Sequence, residues 1–370
     1  MARRRPLTFD IDARAAAEVP AGRGRYVRDL LRGLTEVDDP HARFILWGRE
    51  RWADEAVDAD GRFSWHLVEA PDPLWHGIVA LRARGDAFLS TNSYLTAWAT
   101  RAPTAITIFD LVAFDPQGHA QARAGRIERA TIRPALWRAA ALACISGATR
   151  DELVRRFPVA GPKASVVPLA ADPRFAAPLA DPALPAELGL DGRPYVLAVG
   201  TLEPRKNLER LVRAWSSVPA EVRGEHVLAL VGPRGWEDEP ILAAAHAAGA
   251  VLLGHTSDDD LHRLYANATA FAYPSLAEGF GLPVLEAMAA GAPVLTSDRS
   301  SLPEVAGDAA LLVDPTDEAA IARALGELLG DEGLRTRLRE AGAAQASRFS
   351  RRATAQATFD LLAAIADRPR

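Results

Sequence analysis

The stretch YVLAVGTLEPRKNLERLVRAW, residues 195–215, decides how the second half of the chain is built. Residues 195–200 are an apolar run closed by glycine, the pattern of a strand buried on both faces. A helix is expected from about Asn207, and the turn between carries Arg205 and Lys206 side by side. Neighbouring positions on a helix point in different directions. Two cations serving one target are therefore better held at the irregular end of a turn.

The same strand, turn and helix order recurs on both sides. Strands are read at 226–232, 250–254, 270–274, 293–297 and 310–314, each followed by a helical run. In the first half they fall at 7–11, 43–47, 63–68, 86–90, 104–109, 141–146 and 164–169. Helices such as YVRDLLRGLTEV and GRIERATIRPALWRAA lie between several of them. Such alternation favours parallel sheets covered on both faces. Residues 170–194 hold five prolines without sustained periodicity, a linker signal. The expected architecture is α/β, two Rossmann-like doubly wound parallel-sheet domains facing across a cleft. Their bounds are 1–172 and 195–350, with a Pro-rich linker at 173–194 and a last helix, within 351–370, packing back on the first domain. Ligands of such sheets bind beyond the carboxyl ends of the strands, so the informative residues should follow strands.

Composition narrows the class. The 370 residues are 49% hydrophobic and 25% charged, enough for two cores. The net charge of −5 is uneven: residues 1–172 carry 24 Lys and Arg against 21 Asp and Glu, the remainder 19 against 27. So mild a basic excess argues against nucleic acid, and it leaves room for a first half that touches anionic lipid. Cys144 is the one cysteine, so no intramolecular disulfide forms. The start MARRRPLTFDID lacks the long apolar core of a signal peptide, and no apolar run reaches the roughly 18 residues of a membrane span. A cytoplasmic protein is expected, with peripheral contact at the inner membrane face as the sharper option.

Three loops carry the chemistry. In VGTLEPRKN (199–207), which includes Gly200 and Thr201, backbone N–H groups and the coming helix end favour an anion. Arg205 and Lys206 add a bidentate fork and a point charge, suited to a diphosphate. The plain alternative is two surface cations pairing with Glu203 or Glu209. In YPSLAEGFGLPVLEAMAAG (273–291), Gly279 and Gly281 permit a tight loop rich in free amides, and Pro283 suits a first helical turn. Glu278 precedes that helix and Glu286 lies within its start; capping or complementing the dipole are their plain roles. An acidic group beside an anion-seeking loop makes better sense if it binds hydroxyls, so the two loops together suit a sugar nucleotide. The third loop, VPAGRGRYVRDLLRGL (19–34), places Gly22, Gly24, Arg23 and Arg25 after the first strand; by itself it equally suits a merely flexible loop.

These segments, with AGRGRYVRDLL and the continuation APVLTSDRSSLPEVAGDAALLVDP, resemble glycosyltransferase family 4, a retaining family of GT-B fold, and most closely its mannosyltransferase-like members. The resemblance covers essentially the whole chain and is strongest over 195–350. Seven residues separate Glu278 from Glu286, as in the family signature. It implies that Arg205 and Lys206 hold the donor diphosphate, that Glu278 contacts donor sugar hydroxyls and Glu286 the ribose, and that the amides of Gly279, Phe280, Gly281 and Leu282 complete the cradle. His255 and Thr256, in LLGHTSDDDL, fit the turn that meets the nucleotide base. Departures exist: ITIFDLVAFDP has Phe109-Asp110 where the family often has His-Asp, only Ser146 matches in CISGATRDEL, and Ala170-Ala171 replaces a common Gly-Val.

The implied enzyme is a retaining hexosyltransferase acting from a nucleotide sugar, GDP-mannose first, on a glycan, lipid-linked or small-molecule hydroxyl, with polysaccharide biosynthesis as the implied setting. The first domain would bind the acceptor and the second the donor. Arg205, Lys206, Glu278 and Asp110 are the catalytic candidates, with Asp110 orienting hydroxyls. No cofactor or metal is expected, since the eight His are scattered and the two cations can neutralise the diphosphate; DDD at 258–260 reads as a helix start. Trp in runs such as RPALWRAA and LVRAW is expected in the core, whereas Arg123, Arg126, Arg129 and Arg133 form one cationic helix face, either solvated or facing a membrane-bound acceptor. A nucleotide-sugar epimerase of similar build and a degenerate, binding-only transferase are the rival readings.

Overall fold

The computed structural model describes residues 6–19, 22–91, 93–114, 122–177, 179 and 188–367, with backbone alone at 122–124. The chain divides into two compact units, Met1–Leu169 with Ser350–Arg370, and Ala170–Phe349. The first is built on β1 (Thr8–Asp12), β2 (Arg43–Gly48), β3 (Phe63–Leu67), β4 (Ala87–Ser90), β5 (Thr104–Ile108), β6 (Ala141–Cys144) and β7 (Ala164–Val166). The second contains β8 (Tyr195–Val199), β9 (Val227–Val231), β10 (Val251–Gly254), β11 (Ala270–Tyr273), β12 (Val294–Ser297) and β13 (Ala310–Val313).

Each sheet is parallel and doubly wound. The orders are β3-β2-β1-β4-β5-β6-β7 and β10-β9-β8-β11-β12-β13. Winding reverses between β1 and β4, and again between β8 and β11. At those points neighbouring loops diverge to opposite faces of the sheet and leave a crevice above the strand ends. Two expected strands stop two or more residues before their read carboxyl ends. β6 stops at Cys144 because Ser146 caps the helix Gly147–Arg156, accepting from Thr149 N–H at 3.0 Å. β7 stops at Val166, two residues before Pro168, which has no N–H to give a ladder.

In the second unit Val196, Ala198, Leu228, Leu230, Ala270 and Ala272 bury one sheet face under Leu211, Trp215, Ile321 and Leu325. In the first, Arg14 is sealed in the core: its guanidinium lies 3.7 Å above the Trp75 ring and pairs with Asp12 at 3.2 Å and Asp72 at 3.1 Å. The closing helix, Arg351–Ala366, belongs to this unit. It sets Phe359 edge-on to Phe9 at 5.5 Å and packs on the helix Arg23–Thr35. Gly33 makes that contact possible, since a Cβ there would lie 2.7 Å from the Ala355 Cβ.

The tryptophan expectation holds for Trp215, 2% exposed, and fails for Trp137, 72% exposed. On the helix Ala122–Arg138 the buried stripe is Ile132, Ala135 and Leu136, so Trp137 falls with Arg133 and Arg138 on the outer face. Part of the 173–194 segment is packed rather than free. Phe175, in the turn Pro173–Ala176, is buried with its ring edge-on to Tyr265 at 5.7 Å. Residues 178 and 180–187 of that segment lie outside the described residues.

Asn207 fastens the loop after β8 to two others. It adopts φ 59°, and its Nδ2 donates to Pro274 O at 3.0 Å and Pro315 O at 2.7 Å. Asn207→Ala removes both bonds and forces alanine into the left-handed region, so the unfolding free energy should fall by about 2–4 kcal/mol. Asn207→Gly, relaxed at that φ, should lose less. Equal losses in urea unfolding would show that the backbone conformation contributes nothing.

Candidate functional site

The two loops at the β8/β11 reversal are neighbours because their strands pair, and this brings residues more than 70 positions apart into contact. After β8, Gly200 N–H donates to Val231 O at 2.8 Å. The approach is so close that a Cβ on Gly232 would stand 2.0 Å from Gly200 O. Pro204–Lys206 form a single 3-10 turn that ends at the left-handed Asn207, where the helix Leu208–Ser217 starts. Arg205 and Lys206 thus leave an irregular turn, and both reach one target.

That target is Glu278. Its Oε1 lies 2.7 Å from Lys206 Nζ and its Oε2 lies 2.7 Å from Arg205 Nη1. Oε1 also accepts from Ser275 Oγ at 2.7 Å and Tyr273 Oη at 2.9 Å. Arg205 further donates to Ala277 O at 2.8 Å and pairs with Glu203 at 2.7 Å. The simple pairing with Glu203 therefore exists, but as one arm of a larger cluster; Glu209 is engaged elsewhere, by Arg213. Lys206 is 11% exposed and Glu278 9%. Burial works to raise the Glu278 carboxyl, but Arg205 and Lys206 outweigh it and hold it at about 2. Burial also draws the Lys206 ammonium below its usual range, against the pull of Glu278. Burial opposes the charge on Arg205 too, yet Glu278 and Glu203 keep its pKa above normal. Counted against these contacts, each cation keeps one N–H without an acceptor among the described residues.

The loop beyond Glu278 is pinned by serines. Ser300 Oγ accepts from Glu278 N–H at 3.0 Å, and Ser301 Oγ donates to Glu278 O at 2.9 Å and to Phe280 O at 2.8 Å. Gly281 stands at φ 109°, where a Cβ would meet Leu302 at 2.6 Å. The helix Leu282–Ala289 follows with Pro283 in its first turn, and its geometry leaves the Leu282 N–H no acceptor inside the helix. Phe280 is 3% exposed and edge-on to Phe349, so its side chain is turned into the unit's own packing. Glu286 is five positions into the helix, past the reach of the dipole, and is buried with Tyr265 Oη 3.3 Å from its Oε2.

Two strands from β8, beyond β9, the turn after β10 exposes His255. Thr256 Oγ1 there is buried without a partner among the described residues. In the first unit Gly22, at φ 54°, precedes the helix Arg23–Thr35. Gly24 is explained by packing, since a Cβ would sit 1.7 Å from Val19 O, so its bareness serves the chain's own backbone. Asp110 accepts from Val112 N–H at 3.1 Å, and Phe109 lies edge-on to Tyr26 and 5.4 Å beneath Arg23. Arg126, Arg129 and Arg133 are exposed on one helix, and the side chain of Arg123 lies outside the described residues. Sequence reading missed Tyr273 and Ser275, although both follow from the strand-end YPS beside Glu278. It also missed Glu128, which carries no motif.

Residues 181–345 match the family model described as Glycosyl transferases group 1. The chain is 35% identical over 296 residues to the O-antigen chain mannosyltransferase B of Escherichia coli, covering 78% of this chain and 74% of that one. Two solved structures share the fold across 97% of this chain: sucrose-phosphate synthase from Thermosynechococcus elongatus (TM-score 0.77, 21% identity, 99% of that chain) and Anabaena HepE in complex with UDP and glucose (TM-score 0.74, 16% identity, 100% of that chain). Both sheets, the loops at the β8/β11 reversal and these likenesses lead to one conclusion: the chain belongs to the group 1 glycosyl transferases and is a hexosyltransferase of the mannosyltransferase-like branch.

Proposed function

We propose that the protein transfers mannose from GDP-mannose to a hydroxyl of a glycan or lipid-linked acceptor, with retention at the anomeric carbon. The observation that carries this reading is the convergence of Arg205 and Lys206 on one point beside the start of the helix Leu282–Ala289. Glycosyl transfer separates charge: the sugar becomes cationic as the anomeric C–O bond to the diphosphate breaks and its electron pair goes to the phosphate oxygen. Donors fixed in advance at that oxygen act in a desolvated site without reorganising. The spare N–H of each cation and the loop amides from Gly279 to Leu282 receive it. The acceptor oxygen bonds the anomeric carbon on the face the diphosphate leaves, and its proton passes to the departing phosphate. The neutralising charge is supplied by side chains.

Glu278 has a second duty, holding the two cations in register while presenting its edge to sugar hydroxyls. Glu286 meets the ribose, Gly200 and Thr201 line the phosphate turn, and His255 with the unpartnered Thr256 hydroxyl meets the base. In the first unit Gly22 and Asp110 are the candidates, Asp110 for orienting hydroxyls. The mannosyltransferase named for O-antigen chains supports mannose and a glycan acceptor. A lipid-linked acceptor is consistent with Trp137 and Ile127, exposed among Arg126, Arg133 and Arg138 on one helix, a composition that suits the inner surface of an anionic membrane. Among the described residues no helix is long and apolar enough to cross a membrane.

Lys206→Ala and Arg205→Ala should each lower the transfer rate from GDP-mannose by about 10²–10³-fold, the scale of losing one preorganised donor. Retention within a few fold in both variants would overturn the diphosphate assignment. Glu286→Ala should raise the donor KM with a smaller effect on kcat. A thermal-shift series with GDP-, UDP-, dTDP- and ADP-sugars should give its largest stabilisation with GDP-mannose. A larger shift with another base transfers the reading to that donor, and none with any of them defeats it.

A further inference from the structure

Tyr273 closes the ion cluster of the second unit, and the direction of its hydroxyl proton is fixed by its neighbours. Lys206 Nζ lies 2.5 Å from Tyr273 Oη and 2.7 Å from Glu278 Oε1, and Tyr273 Oη lies 2.9 Å from that same carboxylate oxygen. The three atoms form a triangle. An ammonium has three N–H donors and no acceptor. The phenol oxygen therefore accepts from Lys206 and donates its own proton to Glu278. Burial, with the Glu278 charge beside it, pushes the Tyr273 phenol well above its usual range, so that proton stays in place.

The ring is locked by packing. Tyr273 is the last residue of β11, two positions after Phe271, so both rings leave the same face of the strand. They stack at 5.8 Å with planes 20° apart, and Tyr273 is buried. Of the 43 Lys and Arg residues in the chain, only Lys163 and Lys206 are lysine. At position 206 the compact ammonium suits a seat between two oxygens 2.5 and 2.7 Å away, where a planar guanidinium would reach past them. We propose that Tyr273 is a positioning residue for transfer: its hydroxyl fixes the Lys206 ammonium and leaves the third N–H of that group for the departing diphosphate. The use of that N–H by a diphosphate rests on the transferase reading above; the hold on the ammonium does not.

Fixing the ammonium also fixes its charge. The charged and titratable groups that face Lys206 among the described residues are Glu278 beyond β11, Tyr273 at its end, and Glu203 and Arg205 in the lysine's own turn. Burial works against the ammonium, Arg205 adds to that, and Glu278 opposes both. Tyr273 supplies an uncharged acceptor that stabilises the ammonium without adding a second anion. Without the phenol oxygen, a buried ammonium keeps two N–H groups unanswered, and its proton leaves at lower pH. Above that pH the cluster has one cation fewer to meet the diphosphate, so the alkaline limb of the transfer rate should follow the Lys206 titration.

The test is carbon NMR of the full chain labelled at lysine Cε, which gives two resonances, titrated in alkali without donor. Lys163→Arg removes one resonance and assigns the other to Lys206. Tyr273→Phe, which keeps the stacked ring, should titrate Lys206 at a pH lower by about 1 than wild type, the scale of one hydrogen bond to a charged group. The alkaline limb of kcat/KM for GDP-mannose should move down with it. Ser275→Ala takes a different donor from the same Glu278 oxygen but no acceptor from Lys206, so it should not lower the Lys206 midpoint. An unchanged midpoint in Tyr273→Phe overturns the assignment, and so does an equal fall in Ser275→Ala, which would make a loosened Glu278 the cause. A lowered midpoint with an unmoved limb overturns the role in transfer. Loss of transfer in Lys206→Ala beside a wild-type midpoint in Tyr273→Phe defeats Tyr273 alone. A lowered midpoint in a protein that transfers from no nucleotide sugar supports the hold on Lys206 and removes the transferase reading.

Discussion

A carboxylate that answers two cations out of water is the interaction on which the second unit's site depends. Glu278 neutralises Lys206 and part of Arg205 at 2.7 Å each, and none of the three is more than 19% exposed. Left without its partner, either cation would carry a desolvation penalty of several kcal/mol, so the triad stands or falls as one body. Its members come from two loops, and those loops are held by bonds that have nothing to do with charge: Asn207 to two carbonyls, Ser300 and Ser301 to the backbone around Glu278. The result is a pair of positive groups fixed in place before any ligand arrives, which is what distinguishes a preorganised electrostatic site from two mobile surface cations.

Sheet topology explains where this happens. A parallel strand delivers its carboxyl end, and the start of the next helix, to the same edge of the sheet every time. At the reversal between β8 and β11, adjacent strands send their loops apart and keep their first residues together. The first unit repeats the reversal between β1 and β4, and next to it, at the ends of β4 and β5, Ser90, Thr91 and Asp110 border a cavity rather than an ion cluster. Similar backbones have thus been given different electrostatics, one edge carrying two cations balanced by Glu203 and Glu278 and the other two carboxyls beside Arg23.

Much of the fold was legible because the strands are short apolar runs closed by glycine, proline or a capping residue. All thirteen strands among the described residues lie where such runs were read, with the ends trimmed by features as local as Ser146 and Pro168. The loops with Arg205, Lys206, Glu278 and Gly281 were legible for the same reason, since their places follow from strand ends. Side-chain direction was less so. Trp137 sits in a helix interior by sequence, yet one step around the helix from Leu136 turns it outward. Gly24 reads like a ligand-facing glycine, and only the position of Val19 O reveals an internal purpose. Glu128 is invisible in sequence, because its environment is assembled by Asp110, Arg23 and Tyr94 from three other elements.

The closing helix completes the unit that the first strand began. Phe359 lies against Phe9, while Ala170–Phe349, the whole second unit, is threaded between them. As the chain emerges from the ribosome, the earlier-made unit must wait with part of its core uncovered until the helix Arg351–Ala366 is synthesised. The later-made unit, contiguous in sequence, has everything it needs sooner. Maturation therefore runs against the order of synthesis, and the earlier-made unit stays dependent on the helix Arg351–Ala366 to become a finished domain.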